Sequence, residues 1–237
     1  MTSTRLPGKI LLPLAGKPIL ARVIERTRAI QGVEAIVVAI PEGEEHAPIA
    51  ALCAELSTQV VRGPEQDVLK RTVLAAQSVN ATTVMRLTSD CPFLDPDVSA
   101  AVLAGFRRTG TAYASNAMES GYPLGLDTQV TSMNALREAD AEAVDAYERE
   151  HVTPFLWRRP DRYPALYLDH RPNLRAWRLV IDTPEDYAMA CAVYETLAPS
   201  EPLFGLAALR RLFREQPQLL TMNQAVHQTP YEGLPRA

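Results

Sequence analysis

Ser3, Thr4, Arg5 and Lys9 all fall in the opening stretch MTSTRLPGK. Two hydroxyls, a planar guanidinium fork and a mobile ammonium are the donors that a polyphosphate accepts. Gly8 lets the backbone turn so that its N–H groups can face the same ligand. The spacing is not that of a GxxxxGK[ST] loop, and a solvated basic N-terminus would carry the same residues. Triphosphate binding and a plain basic loop both fit these residues taken alone.

Two carboxylates could complete such a site. Asp90, in RLTSDCPFLDP, and Asp182, in RLVIDTPEDY, each close a short apolar run. Strand-end carboxylates can share one Mg²⁺, which keeps waters and takes phosphate oxygens as further ligands. Local roles compete: Asp90 as a turn-former before Pro92, Asp182 as the N-cap of the helix that follows. Asp95 and Asp97 flank Pro96 at a helix start, where capping explains them better than a metal-binding DxD pair. Glu185 and Asp186 complement the dipole of their own helix. Three more residues are candidates for contacts to a second substrate. Asp127, in GLDTQV, lies inside a predicted strand, where a buried acid needs a partner. Glu150 and His151, in EREHVTPF, are consecutive on a predicted helix and so point in different directions. A packing role accounts for His151 equally well.

Such residues need a frame. EAIVVAI (34–40) is an apolar, β-branched run of the kind buried on both faces of a sheet. KPILARVIERTRAI before it and HAPIAALCAEL after it have helical periodicity. TQVVRG reads as a strand, QDVLKRTVLAAQSV as a helix, TTVMRLT as a strand, and DPDVSAAVLAGFRR as a helix capped by Asp95. This alternation predicts a parallel sheet covered on both faces, with ligands at the C-terminal strand ends. Residues 1–9, 41–45, 62–66 and 88–95 are the loops at that edge. Further on, TAYASN, LDTQVTS, PALYLDH and RLVID read as strands. DAYEREHVTPFLWRRP reads as helix broken at Pro154, and TPEDYAMACAVYETL and GLAALRRLFREQ as helices.

Of the 237 residues, 47% are hydrophobic and 22% charged, enough apolar material for a sizeable core. A net charge of −4 gives no electrostatic reason to expect nucleic acid, so any anion site is local. Cys53, Cys91 and Cys191 have neither zinc nor disulfide spacing, which fits reduced thiols in the cytoplasm. No apolar run reaches membrane-spanning length, and the opening residues lack the pattern of a secretion signal.

STRLPGKILLPLAGKPIL, RLTSDCPFLDP, EREHVTPF and IDTPEDY together, and in this order, resemble the cytidylyltransferases that activate acidic sugars. Within them the likeness is to the spore-coat polysaccharide F-type branch, related to the acylneuraminate and 3-deoxy-manno-octulosonate enzymes; PEQDVLKR and GLDTQV fit that branch too. The likeness runs to about residue 198. It implies an α/β fold of three layers, a doubly wound and mostly parallel sheet of the nucleotidyltransferase, GT-A-like type. It implies a single domain over 1–237, with a smaller substrate and dimer segment at about 111–177 and a peripheral tail at about 199–237. An acidic sugar would attack the α-phosphorus of CTP, with Mg²⁺ required, in a homodimer. Carried over by position, Ser3, Arg5 and Lys9 hold the triphosphate, Arg5 and Lys9 act in catalysis, and Asp90 and Asp182 bind the metal. Asp127, Glu150 and His151 are assigned to the acceptor.

Two departures stand out. The family opens with an apolar strand ending in a Gln-Ala-Arg-like stretch, and here the chain begins at the loop that follows it. The expectation is a strand encoded upstream of a start codon assigned too late. Gln129 stands where the branch often has Glu. A glycosyltransferase of similar topology and a non-catalytic nucleotide-binding homologue are the alternatives.

Overall fold

The computed structural model describes residues 5–118 and 120–227, so Ser3 and Thr4 lie outside the described residues. After a 3₁₀ turn at Lys9–Leu11, a two-residue hairpin pairs β1 (Pro13–Leu14) with β2 (Lys17–Pro18). Its turn needs positive φ twice, at Ala15 (47°) and Gly16 (82°), as a type I′ hairpin does. The chain then alternates as its periodicity predicts: α1 (Ile19–Arg28), β3 (Val37–Pro41), α2 (Ala47–Glu55), β4 (Gln59–Gly63), α3 (Val68–Ser78), β5 (Thr83–Arg86) and α4 (Pro96–Thr109). Asp95 caps α4 by accepting the N–H groups of Asp97 and Val98. The second half adds β6 (Tyr113–Ser115), β7 (Gln129–Ser132), α5 (Met133–Glu142), α6 (Ala146–His151), α7 (Pro154–Trp157), β8 (Ala165–Tyr167), α8 (Pro184–Leu197) and α9 (Leu206–Glu215). Pro154 does break the 145–160 stretch into two helices, and it opens the second.

The layers follow from period-two alternation along the strands. Met85, Ala114, Val130 and Leu166 face α4 through Val102, Leu103 and Phe106. Val84, Tyr113 and Ala165 face the opposite layer of α3, α5 and α7. Strand order is β5-β7-β6-β8, with β6 and β8 parallel and β7 antiparallel to both β5 and β6. The sheet is therefore mixed.

β3 and β4 form a separate parallel pair. Among the described residues β3 and β5 each pair along one edge only. This is why Val37, Val38 and Ala39 are half-buried although their composition reads as fully buried.

Residues 178–182 correct another expectation. RLVID is extended but forms no regular strand: Arg178 bridges to Leu124, and the Ile181 N–H donates to the Asp90 carbonyl at 2.9 Å. Residues 204–219, expected in a peripheral tail, are not peripheral. Phe204, Leu206, Leu209, Leu212, Phe213 and Leu219 are buried with Met189, Val193 and Tyr194 of α8. Arg26, 1% exposed, holds this segment to α1 by donating to the Phe204 carbonyl at 2.9 and 2.8 Å.

Candidate active site

Lys9 follows Gly8, whose left-handed φ of 68° starts the 3₁₀ turn. Its side chain is 12% exposed and runs between two chain ends. Nζ donates to Asp90 Oδ2 at 2.7 Å and to Asp182 Oδ1 at 2.7 Å, across 81 and 173 positions of sequence. The backbone bond from Ile181 to Asp90 sets those two ends side by side. Asp182 is free to join because Thr183 caps α8: its hydroxyl accepts the Asp186 N–H, in a capping box with Asp186. That excludes the capping role weighed for Asp182. Arg5 adds an ion pair to Asp182 Oδ2 at 3.2 Å, with half of its side chain open to solvent.

The electrostatics are those of a shared cation position. Burial alone would lower the Lys9 ammonium's pKa, but Asp90 and Asp182 outweigh it and hold the pKa above the ordinary lysine range. Burial would raise the Asp182 carboxyl; Lys9, Arg178 and Arg5 outweigh that and hold it below the usual carboxylate range. Burial, and then Asp90 beside it, push the Cys91 thiol well up, so it is no nucleophile at neutral pH.

The donor set fits a divalent ion. Two carboxylate oxygens from separate segments already converge on one positive charge at 2.7 Å each, and oxygen-only donors suit a hard cation. Among the described residues no three His, Cys, Asp or Glu side chains are grouped to hold a metal. Phosphate oxygens and waters would supply the remaining ligands, as is usual for Mg²⁺.

Asp127 lies just before β7, not inside a strand. It accepts the Gly125 N–H at 3.3 Å and pairs with Arg175 at 3.1 Å. Gly125 is required there: its φ is 101°, and a Cβ would stand 2.5 Å from the Leu179 carbonyl carbon. The 124–127 loop thus lies against 177–181, beside the two aspartates. Glu150 is exposed on α6, and the His151 ring packs tilted against Tyr147 with centroids 4.2 Å apart. Both lie on a helix packed against α3.

Arg178 and Asp186 are site residues that sequence reasoning missed. Arg178, 7% exposed, donates from Nη2 to Asp182 Oδ2 at 2.9 Å and from Nε to Asp186 Oδ1 at 2.8 Å. The available signal was an arginine inside an otherwise apolar run. Gln129 accepts from Arg86 Nη1 at 2.9 Å, keeping a hydrogen bond where a Glu would also supply charge.

The cytidylyltransferase family model matches residues 1–224. The chain belongs to the cytidylyltransferase family. The family's relatives include the spore coat polysaccharide biosynthesis protein SpsF of Bacillus subtilis, 31% identical over 234 residues that cover 95% of each chain. The cytidylyltransferase is also similar to a solved cytidylyltransferase from Leptospira borgpetersenii, with a TM-score of 0.89 and 26% identity over 96% of this chain and 95% of that one. The fold recurs, at a TM-score of 0.61 and 17% identity, in CMP:2-keto-3-deoxy-manno-octonic acid synthetase complexed with CTP; the match covers 81% of this chain and 94% of that one. The expectation of an α/β nucleotidyltransferase fold and of an enzyme is thereby met.

Proposed function

We propose that this cytidylyltransferase couples CTP to an acidic sugar. An oxyanion of the acceptor attacks the α-phosphorus. The new P–O bond forms as the bond to the α–β bridging oxygen breaks, and pyrophosphate leaves with that electron pair. Such transfer needs positioning and charge neutralisation more than covalent help. Lys9 and Arg5 neutralise the triphosphate, joined by Ser3, which lies outside the described residues. Asp90 and Asp182 would hold Mg²⁺, which would supply charge neutralisation at the phosphates. Asp127 with Arg175 borders the acceptor side, and Glu150 and His151 are assigned to the acceptor as well. A homodimer formed through residues 111–177 and a cytoplasmic location belong to the same reading.

One observation carries it: a single ammonium, on a flexible stem, neutralises two carboxylates from separate segments. Lys9 lies between the two carboxylates, and its flexible stem would let it turn to the phosphates were Asp90 and Asp182 to hold a divalent ion. The test is pyrophosphate release from CTP or UTP, with Mg²⁺ and a panel including 3-deoxy-manno-octulosonate and N-acetylneuraminate. Release that needs both CTP and one acid is the expected result. Release of free nucleoside diphosphate from an added nucleotide-sugar would indicate glycosyl transfer, and no release with any acid would indicate a binding protein without turnover.

A further inference from the structure

Asp186 is 0% exposed and its carboxylate accepts five donors. Oδ1 takes Arg178 Nε at 2.8 Å and Asn223 Nδ2 at 2.9 Å. Oδ2 takes Arg178 Nη2 at 3.0 Å, the Asp182 N–H at 3.0 Å and the Thr183 N–H at 3.1 Å. Capping α8 needs only one of these bonds. The others aim inward, at Arg178 and the backbone of Asp182. Asn223, 3% exposed and beyond α9, also donates to the Arg178 carbonyl at 2.9 Å. It therefore grips Arg178 at both ends, once through its backbone and once through the carboxylate that holds its fork.

We infer that Asn223 and Asp186 are positioning residues for the metal-side carboxylate, acting through Arg178. The inference rests on the metal reading of Asp90 and Asp182. An unpaired Arg178 would compete for Asp182 as a rival cation. Its Nε and one Nη2 bond lie on Asp186. Asp182 Oδ2 is held by the buried Arg178 Nη2 at 2.9 Å and by the more exposed Arg5 at 3.2 Å, while Oδ1 stays directed at the shared cation position. Outer-shell hydrogen bonds of this kind set ligand geometry and affinity. The turn at residue 223 thus reaches the proposed metal side through one amide.

The test is Mn²⁺ binding to the full chain by electron paramagnetic resonance, with CTP and no acceptor, beside the thermal midpoint of each variant. Asn223→Ala should raise half-saturating Mn²⁺ about three- to tenfold, less than the loss typical of residues bonded directly to a ligand. Arg178→Lys keeps the charge but loses the fork, and should shift it further. Met222→Ser, on the same turn but 40% exposed, should leave Mn²⁺ binding as in the parent. If Asn223→Ala does not fold, Asn223→Ser, which retains one donor, replaces it with the same expected direction. A lowered thermal midpoint with parental Mn²⁺ binding in the Asn223 variant would overturn the inference, leaving a purely structural amide. Equal shifts for Asn223→Ala and Met222→Ser would also overturn it. A parent chain that binds no Mn²⁺ with CTP would refute the metal reading itself, and this inference with it.

Discussion

Two clusters of opposite charge tie distant elements together here, and they are built differently. At the junction of α3, α5 and α6, Arg149 donates to Asp67 from Nε at 2.8 Å, to Asp140 Oδ1 from Nη2 at 2.8 Å and to the Asp140 carbonyl from Nη1 at 2.8 Å. Lys70 adds a bond to Asp140 at 3.0 Å, and Asp67 also caps α3. A planar fork spread over carboxylates and a carbonyl cannot be exchanged for another ion without stranding several partners. At the active site the central cation is a point charge on a four-carbon stem, bonded to carboxylates alone. On the proposed reading a metal ion replaces it, and the exchange leaves no backbone partner of Lys9 Nζ unpaired among the described residues. Comparable ion pairing thus gives a clamp in one place and an exchangeable position in the other.

The comparison breaks first at catalysis. Asp90→Asn and Asp182→Asn should each lower kcat/KM for CTP about 100-fold, ~2.7 kcal/mol of transition-state stabilisation. Thermal midpoints should change little, and the double variant should lose less than the sum because both acids serve one ion. Arg149→Ala should act in the opposite sense. Its partners are 26% and 14% exposed, so breaking the clamp should cost about 2 kcal/mol, below the range for fully buried pairs. In a urea titration the midpoint should fall while kcat/KM, measured well below the transition, stays at the parental value.

Acid pH sharpens the contrast. Burial would raise the Asp140 carboxyl, but bonds from Arg149 and Lys70 outweigh it and hold the pKa below the ordinary range. The unfolded chain then binds more protons near pH 4, so this contribution is present above about pH 4 and is lost as pH falls through the folded value. Arg149→Ala should therefore lose less stability than the parent between about pH 5 and pH 3, read from urea midpoints. The smallest effect belongs to the exposed pairing of Arg162 with Glu138 and Glu142, where Arg162→Ala should leave both midpoint and turnover unchanged.

Element order was readable because apolar periodicity switches cleanly between strand and helix along the first hundred residues. Asp90 and Asp182 were readable as strand-end acids. Their partnership was not, since it depends on a backbone bond from Ile181 to residue 90. Adjacent Asp182 and Thr183 are both good caps, so local pattern could not say which one would cap α8. Asp186 looked like a helix-dipole residue, and its five donors come from residues as far away as 223. The burial of 204–219 was missed because the motifs that carry the resemblance stop near residue 198, although the family match runs to residue 224 and LAALRRLFRE is plainly amphipathic. The split between β3 and β5 reverses the usual lesson: a run that reads as buried is half-buried because strand pairing covers only one of its edges.

The central claim is that Lys9 and a divalent ion compete for one position between Asp90 and Asp182. Mn²⁺ binding without CTP to Lys9→Met tests it directly, since the variant keeps the stem and removes the charge. The account expects Mn²⁺ to bind the variant at least about fivefold more tightly than the parent, on the order of 1 kcal/mol of relieved competition, while turnover with CTP falls. Equal or weaker Mn²⁺ binding by Lys9→Met would contradict it.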